Sequence, residues 1–333
     1  MNKRYIGIDG LRCVGCIAIL AMHMAVNNKY EIDGFIYNQV IPSFTDFTYL
    51  FMAISAFSMC CRYYASVLCG EVDWTEFYKK RYCKILPFFA VLIVIDWVMN
   101  CNASAIYEGL VEMTLLHGFI PQDLSVIGVG WFLGIVFLFY LIFPFFCVLL
   151  ENRYRAWFSF AVSLMLNYIC LSYFELGRKN FVFSLCYFIA GGLVFLYKDD
   201  IKAIKKYLYI PAAILLLVFY YLENTKFLSS LLLTTLLLMM GITFDCWGKA
   251  RVVTFISGIS MEIYLSHMAV FRGIEIFQLN KVLGRGWSQY IFTVMLVLGG
   301  TIVFASGVKM LIGKIGKLFE RGLKSRKGYD NVL

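Results

Sequence analysis

The sequence predicts an all-α membrane protein, a polytopic bundle of about ten transmembrane helices with both termini cytoplasmic. Three observations predict it. The 333 residues are 61% hydrophobic and only 15% charged, with a mean hydropathy of +0.76, which is more apolar surface than a soluble core of this length hides. Apolar runs suited to crossing about 30 Å of hydrocarbon recur along the whole chain. Lys and Arg collect in alternate connecting segments, as the positive-inside rule requires.

The first run, Tyr5 to Val26, has a basic start, but Arg12 and His23 interrupt it and no small-x-small cleavage site follows. It therefore reads as a permanent helix rather than a cleaved signal. Phe47 to Tyr64 is the second run. The polar insert from Arg62 to Leu86 follows; within it, Asp73 and Glu76 resemble an N-cap and a reaching acid, and Pro87 marks the start of the next membrane helix. That helix, Ile85 to Asn100, is short and contains Asp96. The remaining runs are Trp131 to Leu150, Ala156 to Phe174, Phe181 to Tyr197, Tyr207 to Leu222, Phe227 to Phe244, Val252 to Phe271 and Ser288 to Ile312. Residues 1–312 form one membrane domain and 313–333 a basic tail. In that tail Met310, Leu311, Ile312, Ile315, Leu318, Phe319 and Leu323 recur at helical spacing among Lys314, Lys317, Arg321 and Lys324, the pattern of a surface-lying amphipathic helix.

With a cytoplasmic N-terminus, most of the 30 Lys and Arg fall inside. Only Lys29, Arg178, Lys179, Lys226, Arg272, Lys281 and Arg285 fall outside, and Arg12 lies within the membrane. The loops at Glu175 to Asn180 and Arg272 to Trp287 run against the rule. The net charge of +9 thus sits where a cytoplasmic membrane face attracts it and implies membrane lipids, not nucleic acid, as its partner. The eleven cysteines show no paired spacing and no metal-ligand pattern with the histidines, so they read as small apolar fillers and no metal is expected.

Ionisable side chains are costly inside a membrane helix, so Arg12 and His23 are candidates for function. Eleven residues at about 100° each make three turns plus about 20°, which puts both on one stripe roughly 16 Å apart. Lys80, Arg81 and Lys84 share another helix face. Three like charges there repel by a few tenths of a kcal/mol per pair, so they favour an anion nearby, either lipid headgroups or a phosphorylated cofactor such as a nucleotide or coenzyme A.

These residues resemble the acyltransferase 3 family of integral membrane acyltransferases. Ile8-Asp9-Gly10-Leu11-Arg12 with His23 looks like the family's opening motif, and Phe51 to Phe57, with Ser55-Ala56, like its second-helix motif. Phe77, Arg81, Lys84, Ile85 and Pro87 match a cytoplasmic motif of a phenylalanine and two basic residues before Ile-x-Pro. Trp131-Phe132-Leu133 with Phe139 to Pro144 is similar to the fourth-helix motif, and Ile259 to His267 to a late Ser-Tyr-x-x-Tyr-Leu-x-His signature. There are departures. Ala56 replaces a glycine, Lys84 an arginine, and Val136 with Phe137 stands where many members carry an acidic pair.

The resemblance implies transfer of an acyl group, usually acetyl, from cytoplasmic acyl-CoA to a hydroxyl of an envelope or exported carbohydrate, or a lipid-linked saccharide, at a bacterial cytoplasmic membrane. A neutral imidazole suits removal of a sugar hydroxyl proton as it attacks a thioester, and His23 is the residue assigned that task. Arg12 then holds an anionic group of the donor or stabilises the oxyanion. His267, at a similar depth in a later helix, orients the acceptor or assists proton transfer. Lys80, Arg81 and Lys84 would bind the cofactor. Ser55, Trp131, Ser260 and Tyr264 would bind substrate, Ser260 and Tyr264 from the face of His267. Arg12 and His23 are expected to open on one water-poor tunnel.

Plainer roles stand beside these. A transmembrane histidine also serves to hydrogen-bond a neighbouring helix, Trp131 to anchor an interface, and Ser55 to permit close packing. His117 reads as a loop or interfacial residue. Asp96 and Glu262 lack nameable partners. A transporter or flippase for a glycolipid or small solute is the rival reading, though paired halves with broken helices are not visible.

Overall fold

The computed structural model describes residues 4–100, 102–119 and 128–330, and among them there is no strand. The helices are α1 (Ile6–Asn27), α2 (Phe47–Leu68), α3 (Trp74–Asn100), α4 (Ala103–Met113), α5 (Trp131–Leu150), α6 (Arg153–Tyr173), α7 (Phe181–Leu196), α8 (Tyr209–Leu222), α9 (Phe227–Thr243), α10 (Arg251–Gly258), α11 (Ser260–Ile276) and α12 (Trp287–Asp330). All ten apolar runs are therefore helical. Asparagines start three of these helices: Asn102, Asn152 and Asn180 each accept a hydrogen bond from a backbone N–H of the first turn, which satisfies donors that the helix itself cannot.

Fewer than ten of them are long enough to span. Six helical segments, those of α1, α2 with its lead-in, α3, α5, α6 and α12, meet the length and apolarity needed, and α10 with α11 makes a seventh if counted as one span bent by 71°. Helices α7, α8 and α9 have 16, 14 and 17 residues; at about 1.5 Å per residue each falls short of about 30 Å of hydrocarbon. Helix α7 is an interior element, almost continuously buried from Phe183 to Val194 and packed between α2 and α6.

Helix α1 is central, touching α2, α9, α10, α11 and α12. Its start lies beside Lys202, whose Nζ donates to Tyr5 Oη over 3.1 Å. Its finish lies beside the start of α12, where Tyr290 Oη donates to the Ala21 carbonyl over 3.1 Å. Helix α12 then returns to the level of Gly258, whose carbonyl accepts from Lys309 Nζ at 3.0 Å. The beginning of the chain and Lys309 thus sit at one end of the bundle, together with Lys202. We call this the basic end.

Several expectations need correction. Pro87 does not start a helix: α3 runs unbroken through it from Trp74, because Asp73 Oδ1 already caps the helix by accepting from Glu76 N at 3.1 Å, and a proline costs one internal hydrogen bond that surrounding packing offsets. Glu76 reaches forward to Lys80, at 3.3 Å, rather than back to the cap. His117 is buried, at 4% exposure, with Nε2 3.2 Å from the Gly130 carbonyl. Burial pushes its imidazole below the ordinary histidine range. Arg272 lies within α11, not in an outer loop, and pairs at 3.2 Å with Asp96, the partner that Asp96 lacked on paper. The last helix passes the expected boundary near Ile312 and continues to Asp330. The amphipathic side chains from Leu318 to Lys324 lie outside the described residues, as do residues 1–3 and 331–333.

Two close helix contacts need glycine. A Cβ on Gly191 of α7 would run into the Ala53 carbonyl of α2, and one on Gly7 of α1 into the carbonyls of Gly241 and Phe244. Small residues let membrane helices approach to backbone contact. Gly191→Val should lower the melting midpoint in detergent by several degrees, since overpacking costs about 1–3 kcal/mol, whereas Gly273→Ala, with open space around it, should not. Equal midpoints in a fluorescence melt would contradict this packing.

Candidate functional site

A cavity of about 430 Å³ enters the bundle from the basic end. Helix α1 contributes Arg12; α2 contributes Ser55, Ser58, Met59, Arg62 and Tyr63; α3 contributes Lys80, Arg81, Lys84 and Ile85; α5 contributes Phe132, Leu133, Val136 and Tyr140; and the break between α10 and α11 contributes Ser257, Gly258, Ser260, Met261, Glu262 and Tyr264. Arg62, Lys80 and Lys84 are exposed at its rim. Five cations therefore line the cavity against one carboxylate, Glu262, which is itself paired with Lys309 at 2.9 Å.

Lys80 is paired with Glu76, but the two arginines that reach inward are held by neutral groups. Arg12 Nη2 donates to Ser58 Oγ at 3.1 Å. Arg81, 9% exposed, donates to the Phe77 carbonyl at 2.9 Å and lies 3.7 Å from the Phe77 ring and 4.5 Å from the Tyr63 ring. Neither arginine has an ion pair among the described residues. Asp9, one turn before Arg12, is engaged elsewhere: it binds Arg4 at 2.7 Å and accepts from Ser257 Oγ at 2.9 Å. That second bond, with the grip of Lys309 on Gly258 and Glu262, fixes the 71° break that turns the start of α11 toward the cavity. A concave space lined by two arginines without ion pairs among the described residues favours an anionic ligand, because charges attract more strongly where burial excludes water.

The expected donor residues Lys80, Arg81 and Lys84 are thus together, and Ser55, Ser260 and Tyr264 line the same cavity. Ser55 Oγ and Ser260 Oγ are both turned back on their own helices, donating to the carbonyls of Phe51 at 2.7 Å and Ser257 at 2.9 Å. Val136, in place of an acid, forms part of the apolar wall, while Phe137 is buried away from it.

The two histidines meet. The His23 and His267 rings are 5.0 Å apart, which their similar depth allows. His23 is half-buried, whereas His267 is fully buried, and among the described residues no side chain hydrogen-bonds to its ring nitrogens. Among the described residues, Arg12 lines this cavity and His23 does not. The Phe132 and Tyr264 rings, 5.2 Å apart, both line the cavity, and Tyr264 lies 6.0 Å from His267, which does not. Eleven residues of helix place the two α1 groups at different depths, and an aromatic wall fills the interval.

Trp131 is not in the cavity. It is buried at the opposite end, where the Arg178 guanidinium lies 5.9 Å from its ring. Arg178 is a residue the sequence reading passed over. Its only signal was a breach of the positive-inside rule. The pairing of Glu262 with Lys309 was equally invisible, being a contact between helices far apart in sequence.

A family model described as an acyltransferase domain matches residues 5–306. Comparison with curated proteins and with solved structures finds no match. The matched span contains every helix that builds the cavity and the histidine pair, and the chain belongs to this family of membrane acyltransferases.

Proposed function

We propose that the protein moves an acyl group, usually acetyl, from acyl-CoA on the cytoplasmic side to a hydroxyl of an envelope or exported carbohydrate, in a bacterial cytoplasmic membrane. The observation that carries this reading is the cation-lined cavity at the basic end, separated by one aromatic wall from a pair of histidines. The cations suit the phosphates of the donor. Its pantetheine arm is long and thin, the shape needed to take a thioester from the cavity past Phe132 and Tyr264.

In the reaction, a ring nitrogen of His23 takes the proton of the acceptor hydroxyl as its oxygen attacks the thioester carbonyl. The new C–O bond forms, the C–S bond breaks, and the thiolate of coenzyme A leaves with the proton returned from His23. Arg12 serves the donor's anionic part. It lies roughly 16 Å along the helix from His23, too far to meet an oxyanion formed beside that ring. His267, packed on His23 and buried, positions it.

Tyr264 keeps water from the thioester. Tyr264→Ala should raise acetyl-CoA hydrolysis in the absence of acceptor about tenfold, and Tyr264→Phe, which retains the ring, should not. Equal hydrolysis in both variants would show that the wall is not a barrier. The function itself is tested by supplying membranes that contain the protein with acetyl-labelled coenzyme A. Label in saccharide is expected. Its absence, with saccharide instead moving across the bilayer, would replace an acyltransferase with a transporter.

A further inference from the structure

Arg178 lies in the loop between α6 and α7, at the end of the bundle opposite the cavity mouth. The loop fixes it at two points. Its carbonyl accepts from the buried Ser184 Oγ at 3.1 Å, and its Nη1 donates to Thr45 Oγ1. The guanidinium is thereby turned inward over Trp131, half-buried, at the head of a run of rings, Trp131, Phe132, Tyr264 and His267, that leads to His23. The carboxylate of Asp46 is in the same neighbourhood but makes no ion pair with it, accepting instead from Tyr220 Oη at 2.9 Å. A guanidinium has five N–H donors in a planar fork. Among the described residues, a neutral hydroxyl is its one side-chain hydrogen-bond partner.

We propose that Arg178 is an acceptor-selecting residue: it binds an anionic group, carboxylate or phosphate, carried by the saccharide whose hydroxyl meets His23. This rests on the acyl-transfer reading above. The placement follows from the geometry, since the donor's cations line the cavity at the basic end, whereas Arg178 is anchored at the opposite end over Trp131, from which contacting rings lead to the histidine pair. A bidentate bond to an anionic sugar also orients it, so that one hydroxyl rather than any of several is presented to His23.

The test compares methyl β-D-glucuronide, α-D-glucose 1-phosphate and methyl β-D-glucoside as acceptors, with labelled acetyl-CoA and the full-length protein in detergent. The wild type should favour at least one charged acceptor over the glucoside by about tenfold or more in kcat/KM, and which one identifies carboxylate or phosphate. Arg178→Gln should bring that ratio close to one, and Arg178→Lys should keep part of it. Thr45→Val removes the anchor but leaves the cation, so it should keep the preference; a purely structural Arg178 would make Thr45→Val and Arg178→Gln alike. A wild type indifferent to acceptor charge, or a preference that survives Arg178→Gln, overturns the proposal. Donor turnover without transfer to any of the three overturns it while leaving an acyltransferase. Absence of donor turnover as well removes the function proposed above with it.

Discussion

His23→Ala should lower acyl transfer to saccharide by about 10²- to 10⁴-fold, the range expected when a positioned general base is removed, with little change in the KM for acyl-CoA. The asymmetry follows from the wall. His23 is outside the cavity that takes the donor, so the binding cations and the Ser58 bond to Arg12 are untouched. His267→Ala should also be damaging, because it leaves the His23 ring without the neighbour 5.0 Å away that fixes its orientation. The double variant should be scarcely worse than His23→Ala alone, as for groups that act as a unit. Steady-state kinetics on the three proteins checks this. Additive losses would mean two independent roles for the histidines.

Arg12→Ala should raise the KM for acyl-CoA by about 10- to 100-fold, equivalent to roughly 1.5–3 kcal/mol for a hydrogen bond to a charged group, and lower kcat less. Arg12 lines the cavity from α1 and has no competing carboxylate within ion-pair distance among the described residues. Its charge is thus available to a ligand in a space poor in water, where it counts most. Arg12→Lys should recover only part of the affinity, since an ammonium lacks the planar fork. If kcat falls by the same factor as in His23→Ala while KM stays put, Arg12 acts at the reacting carbonyl and the division of labour along α1 is wrong.

Local features of the chain were legible before any coordinates. Each of the ten apolar runs is helical because each is written in contiguous residues, though fewer than ten are long enough to span. The Arg12 and His23 stripe followed from helical periodicity, and the cluster of Lys80, Arg81 and Lys84 from spacing within α3. What escaped was contact between distant segments. The partners of Asp96 and Glu262 are Arg272 and Lys309, reached only through folding. Nothing in Trp131-Phe132 or in Tyr264 says that the two rings will meet and divide the donor cavity from the histidines. Apolarity alone also overstated the spans: α7 is as hydrophobic as a membrane helix but only 16 residues long and enclosed by protein. Pro87 misled because the strong cap at Asp73 sets the start of α3 four turns earlier.

The division of one reaction between two compartments is tested most directly by a structure of the protein bound to a non-hydrolysable thioether analogue of acetyl-CoA. The phosphates should lie among Arg12, Arg81 and Lys84, with Phe132 and Tyr264 parted around the arm and the acyl end within about 3–4 Å of the His23 ring or one water from it. Phosphates bound away from the cavity, or an acyl end halted on the Arg12 side of an unmoved wall, would contradict the account.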